Sequence, residues 1–299
     1  MLVASLCFVF SLVLAVAPAA AQEPRAREWS PPFSIEVLDL PRASNGIDYR
    51  LFVRRPLVEP DTGEAPVAVY LLDALWNLPA VAAIQSNLEF LDHFPPLLFV
   101  GIGYQNETTE RLEANRTRDY TPTSFRPADP SKHFLKPVDY EGSGGADRFL
   151  DVVEREIVPL VERRYGARRD RRGIVGKSIG GLLATHALLA RPALFTDYLI
   201  ISPALWWDDY FLDFRDRAVM RAERASHSAR LPHPSRVYLT MGDGEERLGM
   251  LADVYVLARA LRLRNDPGLD LTVKLMAGED HGGSFAPGFA RGLRALLER

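Results

Sequence analysis

One nine-residue stretch constrains this chain more than any other: Gly173-Ile174-Val175-Gly176-Lys177-Ser178-Ile179-Gly180-Gly181. β-Branched residues lead to Val175, a small-residue turn holds one hydroxyl, and an apolar run follows as Leu182-Leu183-Ala184-Thr185-His186-Ala187-Leu188-Leu189. This is G-x-S-x-G in the setting of strand, tight turn and helix. The turn strains the backbone of the serine, and glycines two residues to either side let strand and helix approach without Cβ clashes. Ser178 is therefore expected at the N-terminus of a helix, where unpaired N–H groups favour an oxyanion.

The surrounding pattern predicts the rest of the architecture. Ser34 to Leu40 and Ile47 to Val53 read as strands joined by an Asn45-Gly46 turn, the signature of an antiparallel hairpin. Apolar strands follow at Val67 to Leu72, Pro96 to Gly101, Tyr198 to Ile201, Val237 to Thr240 and Leu271 to Met276. Helices are expected at about Pro79 to His93, Ala146 to Tyr165, after Ser178, Asp208 to about Arg224, Gly249 to Leu263, and Pro287 to Leu297. Near-continuous apolar strands alternating with helices predict an α/β class: a mostly parallel central sheet with an N-terminal antiparallel hairpin and helices on both faces. Pro159 should kink the last turn of its helix or end it early. The arginines at 163, 164, 168, 169, 171 and 172 read as a solvated helix end and loop.

From Gly103 to Gly145 periodicity fails, and about forty residues is long for a routine connection. The segment carries Tyr104, Tyr120, Phe125, Phe134 and Tyr140, so it is expected to be a functional, lid-like insertion. Residues 1–21 read as a secretory signal peptide with cleavage after Ala19-Ala20-Ala21, and residues 22–33 as a polar leader. Residues 34–299 are then a single catalytic domain, periplasmic or secreted, with no stable membrane anchor after cleavage. Cys7 is the only cysteine and lies in the expected signal peptide, so the mature chain is expected to have no thiolate nucleophile or disulfide framework. A formal charge of −3 argues against nucleic acid as the main partner.

A serine hydroxyl needs an imidazole to take its proton and an acid to orient that imidazole. Of the six histidines, His281 follows the last predicted strand in a glycine-rich turn, where open α/β sheets gather their ligand-binding loops. His186 lies inside the serine helix and reads as structural; the other four lie in polar or irregular stretches. The acid should fall between serine and histidine in sequence. The loop after Val237–Thr240 offers Asp243, Glu245 and Glu246; Glu245 is favoured by its Gly242-x-x-acid spacing, and a Ser-His pair alone stays open. Ile179 N–H should give one oxyanion donor, and Ala74 or Leu75, after the Val67–Leu72 strand, the second. Neither a metal site nor a phosphate loop is expected, because the ligand and glycine spacings are missing.

These pieces resemble the putative-esterase family of α/β-hydrolases, closest to its ferric-siderophore (enterobactin-, salmochelin- and bacillibactin-type) esterase branch. The resemblance runs from about Ser34 to the C-terminus. Its markers are Tyr70-Leu71-Leu72-Asp73, Gly101-Ile102-Gly103-Tyr104, Arg118-Asp119-Tyr120-Thr121-Pro122, Gly176-Lys177-Ser178-Ile179-Gly180-Gly181-Leu182, Ser202-Pro203-Ala204-Leu205-Trp206-Trp207 and Gly278-Glu279-Asp280-His281-Gly282. It implies an α/β-hydrolase fold, Ser178 as nucleophile, His281 as base, an acid near Glu245, an oxyanion donor after Asp73, and no cofactor. Two positions depart from the family pattern: Ala74 replaces the usual glycine and Lys177 the usual histidine.

The expected partner is a small-molecule ester, with iron-siderophores among the candidates. Arg118 with Trp76, Tyr104, Tyr120, Trp206 and Trp207 is expected to form an aromatic pocket with a cationic rim, suited to catecholate trilactones or to feruloyl and other aryl esters. The expected activity is that of a serine carboxylic-ester hydrolase working through an acyl-enzyme. The competing expectations are a feruloyl, aryl or short-chain esterase or an acyltransferase of the same family, and an exported ligand-binding module without activity.

Overall fold

The structure, a computed structural model, describes residues 33–56, 63–89, 94–125, 142–207 and 231–297. The signal peptide expected at 1–21, the helix expected from Asp208 and the middle of the 103–145 insertion lie outside the described residues.

The described strands form one sheet of eight: β1 (Glu36–Asp39), β2 (Tyr49–Arg54), β3 (Val67–Leu71), β4 (Leu97–Tyr104), β5 (Arg172–Lys177), β6 (Asp197–Ile201), β7 (Ser235–Gly242) and β8 (Leu269–Met276). Their spatial order is β1-β2-β4-β3-β5-β6-β7-β8. β1 and β2 form the antiparallel hairpin, closed by the turn in which Gly46 has φ +81°, and β2 runs antiparallel to β4. Every pairing from β4 to β8 is parallel. This is the α/β-hydrolase fold. The chain leaves β3 for β4 on one side and returns to place β5 on the other, so a topological switch point lies between β3 and β5, where such sheets open a crevice at the strands' carboxyl ends.

Alternation along the strands feeds two cores. Ala68, Tyr70, Ile174, Tyr198 and Ile200 pack on one face with helix α5 (Ile179–Ala190) and α6 (Met250–Leu263). Val67, Val69, Leu71, Val175, Leu199 and Ile201 pack on the other with α1 (Ala74–Glu89) and α7 (Phe285–Leu297). Both faces are covered, which is why these strands read as continuous apolar runs.

Four expectations need correction. Helix α1 begins at Ala74, ahead of Pro79, because Asp73 C=O accepts from both Trp76 and Asn77 N–H and Asn77 Nδ2 donates to Leu72 C=O. The insertion after Gly103 contains a regular helix, α2 (Thr109–Tyr120), whose Thr108 hydroxyl accepts from Arg111 N–H. It escapes apolar periodicity because Asn115, Arg116, Thr117 and Asp119 are buried on it. Pro159 does not end its helix early. Helix α3 (Ala146–Val152) runs through a π-turn at Val153–Ile157 into α4 (Val158–Tyr165), and the Val158 N–H to Val153 C=O bond opens the ladder just where proline supplies no donor. The basic loop is only partly solvated: Arg172 donates to Glu162 Oε1 (2.9 Å) and Arg171 to Leu296 C=O (2.9 Å), pinning it to the fold.

Among the described residues no helix is long and apolar enough to cross a membrane.

Candidate active site

The carboxyl ends of the parallel strands bring the chemistry together. Ser178 follows β5 at φ 57°, ψ −119°, a left-handed backbone that a non-glycine residue adopts only under constraint. The constraint is visible. Ser178 N–H donates to Ile201 C=O (3.1 Å), and its own carbonyl accepts from Leu182 N–H (2.9 Å) and Ala204 N–H (3.0 Å). A Cβ on Gly176 would lie 2.1 Å from Gly180 C=O, so strand and helix meet at that separation only with glycine there. Ser178 and Lys177 are half-buried.

Glu245 and His281 come from the loops after β7 and β8. His281 Nδ1 lies 2.6 Å from Glu245 Oε2. The carboxylate is fully buried and accepts twice more at Oε1, from Ser202 Oγ–H (2.6 Å) and from Gly242 N–H (2.9 Å). Burial raises its pKa, but the hydrogen bonds from His281, Ser202 and Gly242 outweigh that and hold it below the ordinary glutamate value. An ionised carboxylate only accepts, so Nδ1 carries a proton, and in the neutral imidazole the lone pair is therefore on Nε2. The His281 side chain is about one-third exposed.

The two loops are locked to each other. A Cβ on Gly242 would lie 2.1 Å from Glu279 C=O, and Gly244 N–H donates to that carbonyl at 3.0 Å. Asp243 Oδ1 accepts from Gly278 N–H at 2.9 Å, and Glu246 is exposed. Of the three acids in this loop, the structure brings Glu245 alone to His281. Ser202, which sequence reasoning left as part of a marker, is fully buried at φ 45°, with its hydroxyl 3.0 Å from Ser284 Oγ. Its signal was its place after a parallel strand at the same edge. His186 is remote from this cluster and bonds to Asp147 Oδ1 at 3.0 Å.

At the end of β3, Asp73 (φ 52°) precedes Ala74 and Leu75. Ala74 is buried, whereas Leu75 and Trp76 are exposed, Trp76 by 51%. Arg116 grips Asp73 with two hydrogen bonds, Nε to Oδ1 at 2.8 Å and an Nη to Oδ2 at 3.0 Å. Sequence reasoning missed Arg116, which sits two residues before the marker that drew attention.

The expected aromatic pocket divides. Tyr104 is buried, and its hydroxyl donates to Asp119 Oδ2 (3.0 Å), which also accepts from Tyr49 Oη–H (2.8 Å). Tyr120 is buried and its oxygen accepts from Asp73 N–H (3.3 Å). Trp207 is buried with Nε1–H donating to Thr123 C=O (3.0 Å). These three rings are packed inside, so they present no surface to a ligand. Arg118 is committed to Asp119 and Asn115 and lies over the Tyr104 ring, so the expected cationic rim is an internal tie. Trp76 and the half-buried Trp206 remain as surface aromatics.

Known proteins resemble this chain in sequence and in fold. It is 32% identical to the ferri-bacillibactin esterase BesA of Bacillus subtilis (strain 168) over 55% of its own length, a match that spans 56% of the relative. It is 30% identical to the siderophore triacetylfusarinine C esterase of Aspergillus fumigatus over 85% of this chain and 90% of that one. In fold it superposes on the BES protein of Bacillus cereus with a TM-score of 0.72 at 24% identity, covering 90% of this chain and 98% of the other. The family model described as "Putative esterase" matches residues 44–281, a span that opens in the β1–β2 turn and closes on the histidine itself. This chain therefore belongs to that esterase family of the α/β-hydrolases and is a hydrolase.

Proposed function

We propose that the chain cleaves the ester or lactone bonds of siderophores through an acyl-enzyme on Ser178. The observation that carries this reading is the 2.6 Å contact between His281 Nδ1 and the buried Glu245, on the sheet edge where Ser178 sits in its strained turn. Ser178 Oγ attacks the ester carbonyl while His281 Nε2 takes its proton. Glu245 stays ionised, fixes the tautomer and stabilises the imidazolium. The tetrahedral oxyanion is met by Ile179 N–H, at the start of α5, and by N–H groups of Ala74 or Leu75. His281 then protonates the leaving alkoxide, and the acyl-enzyme is hydrolysed by a water that His281 activates.

The siderophore assignment is supported by the named activities of the two relatives. Trp76 and Leu75 beside the turn give an aryl or acyl group an apolar surface. Residues 1–21 direct export, and residues 34–299 are the single catalytic domain.

Wild type and Ser178→Ala, compared on aryl acetates and on catecholate and hydroxamate siderophore esters with and without iron, test this. Wild type is expected to hydrolyse both classes and Ser178→Ala neither. Hydrolysis of aryl acetates with indifference to every siderophore ester removes the substrate assignment. Binding without any turnover makes the chain a ligand-binding module.

A further inference from the structure

We infer that Arg116 and Tyr120 of helix α2 are positioning residues for the oxyanion turn, acting through Asp73 rather than on the substrate. The inference rests on the proposed role of the Ala74–Leu75 turn and adds what holds that turn in shape.

Asp73 is the residue that must be controlled. Its φ of 52° belongs to the left-handed region, uncommon for a non-glycine residue although aspartate enters it more readily than most. The peptide plane on its carbonyl side carries the Ala74 N–H, and the Leu75 N–H follows one plane later, so the torsions of Asp73 set where this pair of donors begins. Three groups of its own are pinned. The N–H donates to Tyr120 Oη (3.3 Å), the carbonyl accepts from Trp76 and Asn77 N–H (both 3.1 Å), and the carboxylate is held by Arg116 at 2.8 and 3.0 Å. A two-point guanidinium–carboxylate fork fixes orientation as well as distance.

All three side chains are out of solvent, with Asp73 4% exposed, Arg116 7% and Tyr120 1%. The Asp73 carboxylate also lies against the start of α5: a Cβ on Gly180 would be 3.1 Å from Oδ2. The fork thus registers the β3 turn against the helix that carries Ile179, so both halves of the oxyanion site share one reference. Asp73 N–H is spent on Tyr120, and Trp76 and Asn77 N–H on the Asp73 carbonyl, which leaves Ala74 and Leu75 as the turn's available donors. The guanidinium is directed at Asp73, with Glu113 3.5 Å away on its other side, so its donors face protein acids rather than a ligand.

A small neutral ester separates positioning from substrate binding, because it offers Arg116 no anion. On 4-nitrophenyl acetate, Arg116→Gln and Asp73→Asn should each lower kcat by about 10²-fold with KM held within about threefold, as loss of an oxyanion donor does. The double variant should be no slower than the worse single, since both break one fork. Arg116→Lys should restore part of kcat, because an ammonium keeps the charge without the fork. Tyr120→Phe should slow both turnover and phosphonylation of Ser178 by a neutral fluorophosphonate by about fivefold, within the cost of one hydrogen bond.

Independent, multiplying effects of Arg116→Gln and Asp73→Asn overturn the inference, as does a change in KM alone. If Arg116→Gln fails to fold, Arg116→Lys and Tyr120→Phe decide, and wild-type kcat in both overturns it. Failure here is distinct from failure of the proposed function, which would appear as a wild type that neither turns over esters nor takes the label at Ser178.

Discussion

The two flanks of the serine elbow are built in opposite ways. On the β7–β8 flank, short glycine-tight loops hold the chemistry: Glu245, His281 and Ser202 sit at strand ends, and the loops lock through backbone contacts at Gly242 and Gly244. On the β3–β4 flank, the turn carrying Ala74 and Leu75 is held by a helix whose buried side chains are charged and polar, through Arg116, Tyr120 and the Asp119 cluster. In the proposed mechanism one flank places the reacting groups and the other places a backbone. A loop can present a side chain from a few fixed bonds, whereas aiming two amide N–H groups requires the peptide planes themselves to be clamped.

That contrast can be broken most violently on the first flank. His281→Ala should lower kcat on aryl acetates by about 10⁵-fold or more, and Glu245→Gln by about 10³- to 10⁴-fold, since an amide cannot balance the imidazolium. Asp243→Asn and Glu246→Gln should each stay within about threefold, because neither reaches His281. A loss with Asp243→Asn that equals Glu245→Gln would reassign the acid.

Stability should respond more on the second flank. Removing Arg116 leaves the Asp73 carboxylate buried and unpaired, so Arg116→Gln should cost about 3–5 kcal/mol in urea unfolding. Breaking the exposed Arg50–Asp39 pair on the hairpin should cost far less, because solvent screens it. Equal costs would deny the clamp its energetic weight.

Acid and alkali should find opposite flanks. Glu245 has a folded pKa below the ordinary 4.5, so its contribution is present above that value and is lost as pH falls through the lowered one. Tyr49, Tyr104 and Tyr120 have folded pKa values above the ordinary 10.0, chiefly through burial, with the Asp119 or Asp73 charge adding to it. Their contribution is whole below pH 10.0 and declines as pH rises past it, because the unfolded tyrosines then ionise. Thermal unfolding across pH should show Glu245→Gln flattening the acid limb and Tyr104→Phe the alkaline one; the reverse assignment would contradict the contrast. This is the smallest of the expected effects.

The same division decides what was legible in the sequence. The elbow, His281 and the Gly242-x-x-Glu245 spacing are local: glycines, a strand end and a polar residue within a few positions of one another. The strands' places along the chain and the antiparallel hairpin followed from apolar runs and the Asn45-Gly46 turn. Helix α2 was illegible because it buries Asn115, Arg116, Thr117 and Asp119, so its inward face looks like surface. Arg118, Tyr104, Tyr120 and Trp207 were read as a ligand pocket for the same reason: aromatic and cationic residues serve an internal clamp and a binding wall equally well in one dimension. The π-turn before Pro159 was hidden because proline shows only the missing bond, not how the helix absorbs it.

The central claim is that the hydroxyl of Ser178 is the group that His281 and Glu245 serve. Titration of the wild-type chain with a fluorophosphonate, followed by peptide mass mapping and residual aryl-acetate hydrolysis, tests it directly. One adduct per chain on the peptide bearing Ser178, with activity lost in proportion, is the result expected. An adduct on another residue, or full hydrolysis with Ser178 modified, would contradict it.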